Sequence, residues 1–100
     1  MNEYIIFMLD DTTNRSASTN STLWAEYISA LRKSGQFDGG SSIGNGERHR
    51  KGEPAKAAGI DVTGFIRVRA ASMEDARRFL IGNPDYEAGG SVEIRELPKD

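Results

Sequence analysis

The first ordered pattern in the chain is an unbroken apolar run, "YIIFML" at residues 4–9, in which neither side of a two-residue period is polar. Such a run predicts a central β-strand buried on both faces. The polar stretch "DDTTNRSASTNS" that follows predicts a loop ending at a helix N-cap near Asn20, Ser21 or Thr22, since short oxygen-bearing side chains satisfy the free N–H groups of a first turn. Leu23, Trp24, Tyr27, Ile28 and Leu31 then recur at helical spacing, with Glu26, Arg32 and Lys33 off the stripe, and Gly35 supplies the stop. Residues 36–46 carry only Phe37 and Ile43 as large apolar groups and predict a weak strand at a sheet edge. Residues 45–59 add a charged run and Pro54 and predict a long, mobile loop.

Alternation returns over residues 62–70, where Ile66, Val68 and Ala70 share one strand face and Phe65, Arg67 and Arg69 the other. Ser72 with Asp75 forms a helix-start signal, Met73, Ala76, Phe79 and Leu80 give the buried stripe, and Gly82 with Pro84 predicts its end. A final strand, residues 92–97, sets Val92 and Ile94 against Glu93 and Arg95. The predicted order is β-α-β-β-α-β. It is the α+β, ferredoxin-like arrangement, a four-stranded antiparallel sheet with two helices on one face.

That arrangement leaves the second sheet face open, and the first strand is apolar on both. A second copy laid sheet to sheet would hide either Tyr4, Ile6 and Met8 or Ile5, Phe7 and Leu9, so the pattern predicts a homodimer through the open face, a dimeric α/β barrel. Phe65, Arg67, Arg69, Glu93 and Arg95 would then pair across strands, pair across the dimer, or surround a small polar or anionic ligand between the sheets.

Composition narrows the classes. One hundred residues, 37% of them hydrophobic, predict one domain spanning residues 1–100. A net charge of -2 supplies no field for a polyanion or an anionic membrane, so neither nucleic acid nor membrane is an expected partner. With no cysteine there is neither a disulfide framework nor a thiolate, and the short run at the start, followed by Asp10 and Asp11, is no secretory signal. The expectation is a cytoplasmic protein. No cofactor is implied, because "GGSSIGNG" matches neither the P-loop nor the dinucleotide fingerprint. Asp10 beside Asp11 has no third ligand in view, so no metal site is expected.

Candidate chemistry is sparse. His49, the one histidine, lies between Arg48 and Arg50, whose charges favour a neutral imidazole able to act as a general base. Asp38, after Phe37 near a sheet end, is a second candidate base. Arg67, Arg69 and Arg48 could hold an anion. Trp24 and Tyr27, one turn apart, could wall a pocket for an aromatic ligand. Each residue also has a plainer role, in solvated charge, a turn or helix packing.

The chain resembles the YCII-related family, including its DGPF branch. The resemblance is carried by "YIIFML", "W..Y...L...G.F..G" from Trp24 to Gly40, "GFIRV" at 64–68, "S.EDARRF" at 72–79 and "P....GG.VEIREL" from Pro84 to Leu97. It implies the same dimeric fold in a small bacterial protein of uncharacterised function. Relatives carry a histidine at the start of the first helix, paired with an aspartate; Trp24 stands there in this chain, and the DGPF segment is absent, so the family's acid/base pair is not carried over. The resulting reading is a homodimer that binds a small polar or aromatic metabolite between its sheets. Two alternatives stand beside it: a cofactor-free lyase or isomerase using proton transfer, and a non-catalytic interaction module.

Overall fold

The computed structural model describes residues 1–59 and 61–99. Its principal elements are β1 (Asn2–Leu9), α1 (Arg15–Ser18), α2 (Ser21–Ser34), β2 (Phe37–Ser42), β3 (Glu47–Arg48), β4 (Lys56–Ala57), β5 (Val62–Ala70), α3 (Met73–Ala76), α4 (Pro84–Glu87) and β6 (Val92–Leu97). The main sheet has the order β2-β5-β1-β6 with every pair antiparallel, which is the ferredoxin-like topology.

The register settles which side of β1 faces the helices. Tyr4, Ile6 and Met8 are buried, level with Val68, Ile66 and Gly64 of β5, and Tyr27, Leu31, Ala76 and Phe79 complete the core above them. Ile5, Phe7 and Leu9 point to the other side and remain half-buried. Only one face of β1 is thus fully covered within the chain.

Local chemistry places the helices. The Asn20 side chain accepts from the Thr22 and Leu23 N–H groups, and Gly35 ends α2 in the left-handed region at φ 71°. Ser72 accepts from the Asp75 N–H and starts α3, which tightens into a 3₁₀ turn over Arg77–Leu80. Edge strand β2 passes so close to β5 that a Cβ on Gly40 would sit 2.3 Å from the Phe65 carbonyl oxygen. Glycine there is a packing requirement.

Three expectations need correction. The polar loop after β1 contains a helical turn, α1, capped by Asn14, which accepts from the Ala17 N–H. Residues 45–59 are not merely a loop: β3 and β4 pair as a two-stranded hairpin. Pro84 does not close a helix but opens α4, because proline suits a first turn, where its missing N–H would have no partner. No helix among the described residues is long and apolar enough to cross a membrane.

Candidate functional site

Between α2 and the edge formed by β2 and β5 lies a hollow of about 470 Å³. Trp24, Ile28, Phe37, Met8 and Ile66 give it apolar walls, while Ser42, Thr63, Arg32 and Asp85 supply polar groups. A second hollow of about 310 Å³, reaching toward Asp10, Thr12 and Arg15, shares Trp24, Ser42, Thr63 and Asp85 with the first. These four residues mark where the two adjoin.

Asp85 reaches that junction through local geometry. Asn83, itself fully buried, caps α4 by accepting from the Asp85 and Tyr86 N–H groups, both at 3.0 Å. The Gly90 N–H donates to the Asp85 carbonyl oxygen at 2.8 Å, and a Cβ on Gly90 would crowd both that oxygen and Thr12. The backbone around Asp85 is therefore held on two sides. Its side chain is not: the residue as a whole is 8% exposed, and no side-chain hydrogen bond among the described residues reaches its carboxylate, whose oxygens stay open to the hollow. The one enclosed side-chain polar atom left without a partner among the described residues is Nδ2 of Asn83. Burial, and then the charges of Asp10 and Asp11, push this carboxyl above the usual carboxylate range.

Its acidic neighbours are treated differently. Asp10 lies 3.3 Å from the Arg15 guanidinium. Asp11 accepts from the Ser91 hydroxyl at 2.6 Å and the Ser91 N–H at 2.7 Å, and these two bonds hold its carboxyl below the ordinary value.

Of the candidate catalytic and binding residues His49, Asp38, Arg67, Arg69, Arg48, Trp24 and Tyr27, Trp24 is the one that lines this site. Its indole N–H donates to the Ser18 carbonyl at 2.6 Å, which fastens the ring and ties α1 to α2. Tyr27 stacks edge-on against Trp24 at 6.0 Å but turns into the core, where its hydroxyl donates to the Phe79 carbonyl at 2.5 Å. Burial pushes that phenol up to about 12. The arginines lie on the other side of the sheet. Arg67 pairs with Glu3 at 3.0 Å, and Arg69 forks onto both Asp38 oxygens at 3.1 and 3.0 Å while also donating to the Gly35 carbonyl. His49 and Arg48 sit exposed at the β3–β4 hairpin, with the His49 ring 3.4 Å from Glu47. No hydrogen bond among the described residues joins His49 to Asp38.

Sequence reasoning missed Asp85. The signal was partial: an asparagine, a proline and an acidic residue in succession mark a helix start, but nothing local shows that the third would be buried beside Asp10 and Asp11. A larger groove of about 760 Å³ runs along the outer side of α2, past Leu23 and Ile81. Its ionisable lining, apart from Tyr27, is Glu26 and Glu87, both exposed, so it offers little chemistry. Among the described residues no group of three or more potential ligands could hold a metal ion.

No family model matches the chain, and no curated protein sequence matches it. A solved structure is similar to it: 5-chloro-2-hydroxyhydroquinone dehydrochlorinase from Burkholderia phenoliruptrix AC1100, in complex with 2,5-dihydroxybenzoquinone. The TM-score is 0.59 at 15% identity, over 98% of this chain and 95% of that one. At that identity the likeness establishes the fold alone, the α+β arrangement of a four-stranded antiparallel sheet with helices on one face.

Proposed function

We propose that the protein binds a small aromatic molecule in the hollow between α2 and the β2–β5 edge. The carrying observation is the composition of that hollow: about 470 Å³ with apolar walls around Trp24 and Phe37, and a few polar groups converging near Asp85. The similar dehydrochlorinase, whose complex contains a dihydroxybenzoquinone, supports the ligand class by analogy of fold. Because Trp24 is the one tryptophan of the chain, its emission reports on the hollow without a label. A panel of phenols and benzoquinones is expected to include members that change Trp24 emission saturably, and Ser42→Phe, which fills the hollow from the edge strand, is expected to abolish the response. Silence across the panel would move the protein to the interaction-module reading.

A catalytic reading is favoured by one feature, the elevated carboxyl of Asp85 in a cleft, which suits proton transfer without a cofactor. In this reading Asp85 takes the role first sought in His49 and Asp38. Turnover of a bound quinol or quinone that is lost in Asp85→Asn, with ligand affinity retained, is its expected signature.

The open sheet face supports a homodimer. Ile5, Phe7, Leu9 and Phe65 are only half-buried there, and a second copy would cover them. Sedimentation at micromolar protein is expected to give a two-chain mass, and Phe7→Lys a one-chain mass. A one-chain mass for the unaltered protein removes the dimer but leaves the helix-side hollow intact.

A further inference from the structure

The unfilled carboxylate says more about the ligand than the apolar walls do. A carboxylate that lines a hollow and accepts no hydrogen bond from the protein is free to take one from whichever donor-bearing molecule fits beside it. Asp85 is more than nine-tenths buried and lines both adjoining hollows. The charged groups around it are Asp10 and Asp11 after β1, Arg15 on α1 and Arg32 on α2. Arg15 is engaged by Asp10, and Arg32 lines the larger hollow but not the smaller one. The electrostatic environment at Asp85 is therefore acidic.

Deepening the binding reading above, on which it rests, we propose that Asp85 reads the ligand by accepting a hydrogen bond from a ring hydroxyl, so that the hollow selects neutral phenols and rejects aromatic carboxylates. This reverses the ligand charge that Arg67 and Arg69 suggested. Those guanidinium groups already face carboxylates on the far side of the sheet. A second anion brought to Asp85 would meet the repulsion of three carboxylates, Asp85, Asp10 and Asp11, with Arg15 already engaged by Asp10 and Arg32 bordering only the larger hollow. A phenolic hydroxyl instead donates to the carboxylate, and its ring lies against Trp24.

The test uses three probes on the full chain, read by the saturable change in Trp24 emission: hydroquinone, 1,4-dimethoxybenzene and benzoate. Hydroquinone is expected to bind about tenfold or more tightly than its capped ether, the usual effect of one hydrogen bond to a charged acceptor, and benzoate to bind weakest. Asp85→Ala removes the acceptor but leaves the backbone bonds of α4 in place, and is expected to bring hydroquinone and the ether to similar affinity. Equal binding of the two by the unaltered protein, tighter binding of benzoate, or a gap that survives in Asp85→Ala each overturns the assignment while the hollow reading stands. No response to any probe overturns the hollow reading itself. Should Asp85→Ala fail to fold, the comparison of the two probes in the unaltered protein still decides.

Discussion

The two sides of the main sheet handle charge in opposite ways. On the open side, Glu3 meets Arg67, Asp38 meets Arg69 and Glu93 meets Arg95, at 3.0, 3.0 and 3.3 Å. On the helix side, the Asp85 carboxylate lines the junction of two hollows with no ion-pair partner among the described residues. Paired, solvent-reached charges of the first kind contribute little to stability and solubilise a face that is otherwise apolar along Ile5 and Phe7. A carboxylate of the second kind, whose charged form the fold disfavours, weakens the resting fold at neutral pH, and such a cost is common where a ligand is to be held. The contrast distinguishes a surface from a site more sharply than the number of charges does.

The largest expected effect tests the apolar half of this contrast. Ile5 and Ile6 are neighbours on β1 that point to opposite sides. Ile6→Ala, at a fully buried position, is expected to cost about 3–4 kcal/mol in urea unfolding. Ile5→Ala is expected to cost about 1 kcal/mol or less in the isolated chain. If a second copy covers the open face, the Ile5 effect becomes larger and dependent on protein concentration. Equal costs at all concentrations would erase the difference between the sides.

Next in size is the response of the two carboxylates to pH. Asp85 binds its proton more tightly in the fold than in the unfolded chain. Its contribution to stability is therefore present below the ordinary carboxylate value of 3.8 and is lost as pH rises through the elevated one. Asp11, lowered by Ser91, contributes above 3.8, and that contribution is lost as pH falls through the depressed value. Asp85→Asn is expected to stabilise the unliganded protein at neutral pH, with the gain vanishing in acid. Ser91→Ala is expected to destabilise at neutral pH, and that loss too is expected to fade in acid. Unfolding free energies measured from neutral to acidic pH check both signs.

The smallest effect belongs to the open-side pairs. Arg67→Met is expected to change stability by no more than about 0.5 kcal/mol, and less in high salt. A loss several times larger would mean that the Glu3–Arg67 pair is desolvated, as at an interface, and would blur the contrast between the two sides.

How much of this was legible in the sequence depended on the range of the information. The caps at Asn20, Gly35 and Ser72 are local, each a side chain or a glycine answering the needs of the next few residues, and they stand where the pattern put them. The alternation in β5 and β6 likewise separated Ile66, Val68 and Ile94 from Arg67 and Glu93. The β3–β4 hairpin was illegible because its short strands carry no apolar alternation. At Pro84 one residue type has two local meanings, stop and start, and only the fold chooses between them. Asp85 lies further out of reach: its altered proton affinity arises from burial and then from Asp10 and Asp11, some seventy-five positions earlier and brought near by the pairing of β1 with β6.

That pairing also governs how the chain can be made. β1 occupies the centre of the sheet yet leaves the ribosome ahead of its neighbours β5 and β6, which follow only after more than fifty intervening residues. Until then "YIIFML" is an adhesive ribbon with bare amides along both edges, the kind of segment that nascent-chain chaperones shield. Moving β6 ahead of β1 by circular permutation would give the ribbon one of its neighbours at birth.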